Sequence, residues 1–549
     1  MNILLGLLLT ANITLGSPVN YKISLAGNFG EPRPNHFHGG IDIKTDGVEG
    51  KPIFSMGDGY ISHVSVGIGG YGNALYIHLP EGYTCVYCHL QKFTPQITAM
   101  VRKWQYANHT STGDIHFRPT DLPVARGQLV AVSGNTGSSQ APHLHLEIHD
   151  TRTWNMLDPL EFIQNEVTDK MPPVAHGFMA YPKPGEGVFC GASTKLAFPF
   201  TSHNLNRIFS AWGKVGFGIW ANDYMAITYN RYGVRRTELY VDNHLAFCSD
   251  VNDIPVNDNM MMNAWGDYEH YLQYQVWYLK SFVQPGLTLP FLYSDAQHGY
   301  INFNEQRDYH ITYVLTDFRG NVNKYTFTVK GHRYAIPHKN EIHPLRALRW
   351  DRMNNYQLPG MQLIVRPNSL ADMVELSPEV KFQSNKLSDA YRFMSTSFPL
   401  FNYAQISLRL KKKVKDVSKL YIVNHWNIDK YMGGDYQDGW VVGRARELGA
   451  YYEIAYDDVA PIINPIGQGA WNTRHEICIG IVDEGCGIAK YEGFIDNRFV
   501  LFENVPKSPW VKCVLSQTPI KRTGKEHILK FVVKDFRNNT RTFMAPFKY

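Results

Sequence analysis

Strict alternation of polar and apolar residues marks the segment His-Leu-His-Leu-Glu-Ile-His-Asp at 143–150. A period of two is typical of a β-strand, so Leu144, Leu146 and Ile148 should face a core while the polar side chains point the other way. Similar alternating runs recur farther along the chain, for example at 404–411 and 451–455. The pattern predicts an all-β protein.

Titratable side chains are concentrated in three short segments. The polar face of 143–150 carries three histidines and Glu147, a set that is costly to desolvate unless it is partnered. His38-Gly-Gly-Ile-Asp42 contains two glycines, which disfavour a helix by about 1 kcal/mol each, and an extended chain there puts His38 and Asp42 on one face. A β-prone run at 86–90 is predicted to place His89 in the middle of a strand. Together these segments supply enough ligands for a zinc ion that keeps one position open for water.

The motifs occur in an order that resembles a known family. His-x-x-x-Asp at 38–42, Tyr-x-His-Leu at 87–90, Gly-Asn-Thr-Gly at 134–137 and Pro-His-Leu-His-Leu-Glu at 142–147 follow one another along the chain. This arrangement resembles the lysostaphin-like zinc metalloendopeptidases, which cleave peptidoglycan. The resemblance covers about residues 25–165 and implies the fold of that family for this region.

The resemblance also implies roles for single residues. It makes His38, Asp42 and His145 the ligands of one Zn²⁺, and it makes His89 and His143 the catalytic histidines. One of these two would accept a proton from a metal-bound water and the other would assist the oxyanion or the leaving amine; the motifs do not say which. The implied activity is a hydrolase that cuts peptide cross-links of peptidoglycan.

Two other functions compete with the peptidase hypothesis: a catalytically silent zinc-binding regulator, and a cell-surface protein that binds glycans. Within the motifs, His36 and His149 are interpreted as exposed histidines at strand ends. The string Cys-Val-Tyr-Cys-His at 85–89 resembles a haem attachment site, but its cysteines would face opposite sides of a strand. The glycine-rich string at 67–72 precedes a strand instead of a helix, so it offers no phosphate site.

Composition adds only broad limits. Aromatic residues make up 13% of the 549 residues, which suits a β-rich extracellular protein, and a net charge of +5 is small, so nucleic acid is not an expected partner. Seven cysteines do not form an even disulfide framework, and any pairing is left open. An apolar run at 3–11 followed by small residues predicts a secretory signal peptide over 1–16, and therefore a periplasmic or extracellular location. The family resemblance implies a peptidoglycan peptide as substrate, and a cell-envelope protein is a further candidate partner. The hydropathy pattern predicts no transmembrane span.

The remaining two thirds of the chain contain an internal repeat. Asp-Phe-Arg-Gly-Asn at 317–321 matches Asp-Phe-Arg-Asn-Asn at 535–539, and Val-Asp-Asn at 241–243 matches Ile-Asp-Asn at 495–497. Such turn residues between strands are typical of β-hairpins. We therefore expect two or three immunoglobulin-like β-sandwiches after the peptidase. The predicted domains are a peptidase at 17–168, a sandwich at 169–335 with an insertion near 249–300, a further sandwich at 336–455, and a last sandwich at 456–549.

One segment of the peptidase region, about 97–122, is longer than the compact form of the family. It contains Trp104, Tyr106 and His109. Two interpretations are open: the segment walls the substrate cleft, or it is a surface excursion that packs on a neighbouring sandwich.

Overall fold

The computed structural model describes residues 13–226, 228–339 and 341–549. Strands hold 46% of the residues and helices 11%, so the all-β prediction is confirmed. The apolar run of the predicted signal peptide lies outside the described residues. Within the described part, no helix combines the length and apolar character needed to cross a bilayer.

The chain divides into two compact units. One comprises the residues up to Ser65, Gly69–Thr98, and the chain from His116 to the linker before Glu341. The other comprises Val66–Ile68, Ala99–Ile115 and Glu341–Tyr549. The first unit thus holds most of the N-terminal region and the first sandwich.

The N-terminal region is built from short strands and one helix, α1 (Pro95–Asn108). The strands are β1 (Leu25–Gly27), β2 (Pro32–Arg33), β3 (His36–Phe37), β4 (Ile41–Lys44), β5 (Pro52–Phe54), β6 (Gly59–Val66), β7 (Asn73–His78), β8 (Tyr83–Cys88), β9 (Lys92–Phe93), β10 (Gly113–His116), β11 (Pro123–Val124), β12 (Leu129–Val132), β13 (His143–Asp150) and β14 (Met156–Leu157). The main sheet runs in the order β1-β4-β13-β8-β7-β6, and β5, β12 and β9 form a second sheet. Two 3₁₀ turns, Pro159–Glu161 and Gln164–Glu166, follow β14.

Strand β13 lies at the centre of the main sheet. It pairs antiparallel with β4 on one side and with β8 on the other. Its apolar residues are buried, as the alternation predicts, and the polar face is also largely buried, because only the terminal residues His143 and Asp150 are partly exposed. A polar face that is withdrawn from water requires partners, and these are found in the candidate site.

The first sandwich follows in the same unit. Its core includes Phe178, Phe189, Phe209, Phe217 and Phe327. The strands form one continuous sheet, because Ile208–Asn222 pairs in parallel with Val322–Gly331. The strands are Val174–Phe189, Leu196–Pro199, Ile208–Asn222, Arg236–Val241, His244–Asp250, Leu279–Lys280, Leu292–Ser294, Ile301–Phe303, Asp308–Thr316 and Val322–Gly331, with a short helix at Ser202–Asn206. A further strand, Asp253–Ile254, pairs with β14 of the N-terminal main sheet instead.

The expected insertion in this sandwich is partly helical. It contains a 3₁₀ segment, Val256–Met261, and two short helices, Met262–Trp265 and Tyr268–Tyr274. Trp265 is buried and packs with Phe291 at a ring-centroid distance of 5.4 Å. The insertion thus carries a small aromatic cluster of its own.

The second unit contains two more sandwiches. The first of these joins two five-stranded sheets around a core that includes Leu363, Ile406, Ile422 and Tyr452. The strands of the two sheets are Asn354–Leu358, Met361–Val365, Glu379–Lys381, Ala390–Arg392, Pro399–Arg409, Leu420–His425, Asp429–Tyr431, Asp435–Gln437, Trp440–Glu447 and Tyr451–Tyr456. Ala347–Leu348 and Val374–Glu375 form a separate two-stranded sheet, and 3₁₀ turns lie at Pro344–Arg346 and Val417–Lys419.

The last sandwich joins two four-stranded sheets around a core that includes Ile479, Leu529 and Phe531. Its strands are Ile462–Ile466, Glu476–Val482, Ile488–Ile495, Arg498–Val500, Glu503–Asn504, Trp510–Val514, Glu526–Asp535 and Thr540–Lys548, with a short helix at Trp471–Arg474 and 3₁₀ turns at Gln468–Ala470 and Leu515–Gln517.

The long segment of the peptidase region belongs in part to this second unit. His109 stacks on Phe499 with ring centroids 4.5 Å apart and an interplanar angle of 5°. The hydroxyls of Ser111 and Tyr491 are 2.8 Å apart, within hydrogen-bond distance. These contacts support the interpretation of residues 99–115 as an excursion that packs on a sandwich.

Candidate metal centre

Adjacent strands bring the predicted site residues together. Asp42 in β4 lies directly opposite His145 in β13, and His145 lies opposite Cys88 at the end of β8. His89 is the next residue after β8. Because directly opposed residues in antiparallel strands share a face, the strand register gathers Asp42, His145 and the chain around His89 on one side of the sheet.

Three side chains meet at short distances. His38 Nε2 lies 3.0 Å from Asp42 Oδ1 and 3.0 Å from His145 Nδ1. His145 Nδ1 lies 2.8 Å from the same Asp42 oxygen. All three residues are buried, with at most 7% of their surface exposed. The structure therefore places the three sequence-predicted ligands in a single cluster.

In His38 and His145, the ring nitrogen that points away from the cluster lies within hydrogen-bond distance of an acceptor. His38 Nδ1 is 2.6 Å from the carbonyl oxygen of Asn28, so that nitrogen donates its proton and Nε2 presents a lone pair. His145 Nε2 is 2.9 Å from Glu147 Oε1 and donates to it, which turns Nδ1 towards the cluster. Two ring nitrogens and a carboxylate oxygen therefore converge on one point.

This convergence fits a cation. Acceptor atoms at about 3 Å repel one another unless a positive group lies between them. Burial lowers the pKa of His145, but the hydrogen bonds that its ring donates to the carboxylates of Asp42 and Glu147 outweigh this effect and raise that pKa to about 9. The cluster thus stabilises positive charge at His145 Nδ1, and a nitrogen–nitrogen–oxygen donor set is one that zinc takes in proteins.

His89 and His143 border the three ligands. The ring centroid of His89 is 4.9 Å from that of His143 and 5.8 Å from that of His145. His89 Nδ1 lies 2.9 Å from the carbonyl oxygen of Thr136, so Nε2 carries the lone pair. Burial lowers the pKa of His89 to about 3, which keeps this imidazole neutral.

His143 has acceptors at both ring nitrogens. Nδ1 lies 2.8 Å from the carbonyl oxygen of Ala141, and Nε2 lies 3.2 Å from Asp42 Oδ1. It is more exposed than the other four residues of the site. Both ring nitrogens of His143 thus face acceptors, whereas the Nε2 lone pair of His89 is arranged to accept a proton.

Glu147 lies beside His145 and accepts hydrogen bonds from three neighbouring side chains. Its carboxylate accepts hydrogen bonds from His145 and from His149 Nε2 at 2.7 Å, and the Tyr71 hydroxyl donates to Oε1 at 2.7 Å. Burial raises the pKa of Glu147, but the two histidines more than compensate and hold it well below its usual range. Glu147 therefore remains ionised and orients His145.

Two interpretations from the sequence are wrong in detail. His89 does not lie mid-strand: β8 ends at Cys88, and His89 adopts a left-handed backbone with φ of 60°, which turns its ring out of the strand alternation. His149 is not an exposed strand-end histidine, because it is only 3% exposed and bonded to Glu147. His36 is exposed, as expected.

Arg33 and Tyr71 join the site without having been singled out from the sequence. Arg33 Nη2 donates to Asp42 Oδ2 at 2.8 Å, on the side of the carboxylate away from the histidines. Tyr71 lies in the glycine-rich string at 67–72, which the sequence marked only as a segment before a strand. Arg33 lies in Glu-Pro-Arg-Pro, where no pattern pointed to a role.

The first sandwich holds the segment that carries His38. Asn28 exchanges two hydrogen bonds of 2.8 Å with the backbone of Gly233. Phe37 is fully buried, its backbone amide donates to Asn259 Oδ1 at 2.6 Å, and its ring lies 5.9 Å from that of Trp265. The insertion therefore fixes the residue that immediately precedes a predicted ligand.

Similarity to known proteins agrees with this geometry. A model of peptidase family M23 matches residues 36–114, and a Zu5-like domain model matches residues 345–457. An uncharacterized metalloprotease of Haemophilus influenzae is 31% identical over 112 residues, which are 20% of this chain and 18% of that protein. The chain thus spans less than a fifth of that curated relative.

Two solved structures also match part of the chain. The catalytic domain of lysostaphin from Staphylococcus simulans is 23% identical, covers 26% of this chain and 92% of its own, and has a TM-score of 0.20. A zinc-containing peptidase from Vibrio cholerae is 27% identical, covers 25% of this chain and 36% of its own, and has a TM-score of 0.18. The family models identify an M23 peptidase domain in residues 36–114 and a Zu5-like domain farther along the chain, in residues 345–457.

Proposed function

We propose that this protein is a zinc-dependent endopeptidase that hydrolyses peptide cross-links of bacterial peptidoglycan. The observation that carries the proposal is the convergence of His38, Asp42 and His145 within 3.0 Å of one another, beside two further histidines. Three protein ligands leave a coordination position for water or substrate, as catalytic zinc sites require. A structural zinc site would be closed by a fourth protein ligand instead.

When bound, zinc supplies Lewis acidity that polarises a peptide carbonyl and acidifies water. His38 and His145 would contribute ring nitrogens that are oriented by Asn28 and Glu147, and Asp42 would contribute negative charge. The Arg33 guanidinium fixes the second oxygen of Asp42. These contacts hold the ligand atoms in place before substrate arrives.

The two remaining histidines divide the proton transfers. We assign His89 as the acceptor, because its Nδ1 proton is committed to Thr136 and its Nε2 is free to take a proton from water. We assign His143 as the donor to the oxyanion or to the leaving amine, because both its nitrogens face acceptors. Its greater exposure gives it access to a substrate in the open part of the site.

The substrate class rests on the family resemblance, and a location in the cell envelope goes with it because peptidoglycan lies outside the cytoplasm. The apolar N-terminal segment and the appended sandwiches agree with a secreted enzyme. The sandwiches would position the peptidase domain or bind another component of the envelope.

The test is digestion of purified peptidoglycan by the full chain, followed by mass spectrometry of the fragments and detection of new amino termini. We expect release by the zinc-loaded protein and none after chelation. His143→Ala should lower release at least about 100-fold while zinc stays bound, whereas Asp42→Ala should lose both zinc and activity. His36→Ala, at an exposed position two residues before His38, is the matched control and should retain activity.

Undiminished release by the His143→Ala protein would overturn the role assigned to that residue. A zinc-loaded wild-type protein that releases no new amino termini would overturn the enzymatic proposal and leave a zinc-binding regulator. Full zinc occupancy in the Asp42→Ala protein would contradict the ligand set.

A further inference from the structure

Three buried carboxylates meet at one end of the first sandwich, and none of them belongs to the candidate zinc site. Asp169 precedes the first strand of the sandwich, Asp223 directly follows Ile208–Asn222, and Asp317 directly follows Asp308–Thr316. One oxygen from each lies within 4.8 Å of the others. We call these residues the Asp169 cluster. The exposed fractions are only 6%, 2% and 3%, respectively.

Part of this cluster has no hydrogen-bond donor. Asp169 Oδ2 and Asp223 Oδ1 are buried oxygens without a partner among the described residues. Burial, together with the charges of Asp169 and Asp317, raises the pKa of Asp223 to about 8. Buried acceptors without donors are rare, and each one calls for a group that is absent from the protein itself, such as an ion.

The last sandwich provides an internal comparison. Asp457, Asp483 and Asp535, which we call the Asp457 cluster, occupy the corresponding places: before the first strand, after Glu476–Val482, and at the end of Glu526–Asp535. The turn after Asp317 and the turn after Asp535 use the same hydrogen bonds. Asn321 N donates to Asp317 Oδ1 at 2.8 Å, and Asn539 N donates to Asp535 Oδ1 at 2.9 Å. The three-carboxylate arrangement is therefore part of the repeat.

The two clusters differ in what satisfies the carboxylates. In the Asp457 cluster, Cys486 N donates to Asp457 Oδ2 at 2.8 Å, and Gly487 N donates to Asp483 Oδ2 at 2.7 Å. Both amides come from the short connection between Val482 and Ile488. The corresponding connection in the first sandwich, from Asn222 to Arg236, is much longer, and its described residues (all but residue 227) provide no such donor to Asp169 Oδ2 or Asp223 Oδ1.

We propose that the Asp169 cluster binds one Ca²⁺ ion. The donor set consists only of carboxylate oxygens, which are the ligands that hard cations such as Ca²⁺ prefer, and no imidazole or thiol contributes as it would for zinc. Calcium takes six to eight oxygens, so water and backbone carbonyls would complete its coordination. The Asp457 cluster, whose carboxylates already accept amide protons, does not bind calcium with comparable affinity.

A bound ion would connect the segment that leads into the sandwich, at Asp169, with two strand ends, at Asp223 and Asp317. Asp169 lies in the linker between the M23 domain and the first sandwich, whereas Asp223 and Asp317 belong to the sandwich itself. Calcium therefore orders the beginning of the sandwich. This role is independent of the proposed peptidase activity, and its test does not use activity.

The test is calorimetric titration of calcium chloride into the zinc-loaded full chain. We expect one Ca²⁺ per chain with a dissociation constant of about 10⁻⁴ M, in the range of extracellular calcium modules. Asp223→Asn keeps the side-chain shape, removes one charge, and should weaken binding at least about tenfold. Asp483→Asn, the matched change in the Asp457 cluster, should bind calcium as the wild type does.

A second variant covers the case in which Asp223→Asn fails to fold. Asp169→Asn keeps the oxygen that accepts from Met171 N at 2.9 Å and should weaken calcium binding to a similar extent. A second readout is calcium-dependent protection of the first sandwich from limited proteolysis, which both cluster variants should lose. Absence of calcium uptake by the wild type at millimolar concentration would overturn the proposal. Unchanged uptake by either folded Asp169-cluster variant, or loss of uptake in Asp483→Asn, would overturn it as well.

Discussion

Replacing Glu147 by glutamine tests how the candidate metal centre is oriented. The carboxylate is fully enclosed and accepts from His145, His149 and Tyr71 at 2.9, 2.7 and 2.7 Å. Glutamine has nearly the same shape but offers one acceptor oxygen and an amide group that donates. At least one of the three donors therefore loses its acceptor or faces another donor.

The expected magnitude follows from these contacts. A buried donor left without an acceptor costs about 1–3 kcal/mol of stability, and more when the lost acceptor was charged. Changing the partner that orients a metal-binding histidine typically lowers metal affinity about 10- to 100-fold, which corresponds to about 1.4–2.8 kcal/mol. We expect both effects in Glu147→Gln, because the same carboxylate fixes His145 and satisfies the buried network.

The assay is competition for zinc between the full chain and a chromogenic chelator, together with chemical unfolding. Tyr71→Phe is the control: it removes one donor to Glu147 but leaves the His145 contact. It should lower stability by about 1–2 kcal/mol and change zinc affinity only a few-fold. Zinc affinity in Glu147→Gln equal to that of the wild type would refute the inference that this carboxylate orients His145.

Three further predictions concern packing and charge in the first unit. Gly40→Ala should destabilise the chain by at least about 3 kcal/mol in chemical unfolding, because a Cβ there would lie 2.1 Å from the Leu146 carbonyl oxygen. Gly69→Ala is the control and should be nearly neutral in the same assay, because the nearest atom to its Cβ would be 4.0 Å away. Phe37→Ala should cost about 3–5 kcal/mol in unfolding and weaken zinc binding in a chelator titration, because this buried ring anchors the segment before a predicted ligand. Burial raises the pKa of Asp158 to about 6, so its contribution to stability is present below about pH 4 and is lost as pH rises through 6, a change of up to about 3 kcal/mol. Asp158→Asn should flatten this part of the stability profile measured by denaturant unfolding, and an unchanged profile would contradict the assignment.

Much of the fold was readable from local pattern. The alternation at 143–150 predicted β13, because a side-chain period of two is a property of the strand itself. The Asp-Asn pairs at 242–243 and 496–497 predicted hairpin turns, and all four residues adopt positive φ there, between 49° and 67°. Such signals depend on a few neighbouring residues, so the sequence alone carries them.

The sequence predicted the five main residues of the site but not all of their surroundings. The order of the motifs singled out His38, Asp42, His89, His143 and His145, and the structure gathers these five residues. The left-handed turn at His89, the burial of His149 and the contact of Arg33 with Asp42 were not foreseen. Each depends on how one segment ends or on what another segment brings to it.

The sequence by itself determined the strands, the turns, the repeated sandwiches and the identity of the side chains able to hold a metal, because periodicity and turn chemistry act over a few residues. Only the tertiary structure decided that Arg33, Tyr71 and His149 join the site. It also decided that the carboxylates of the Asp169 cluster and of the Asp457 cluster have different hydrogen-bond partners. The connection after Asn222 and the one after Val482 differ in length, and amide protons from the shorter one reach the Asp457 cluster. Whether a buried carboxylate finds a hydrogen-bond donor from a distant segment depends on how the chain runs in three dimensions, and no local sequence pattern encodes that.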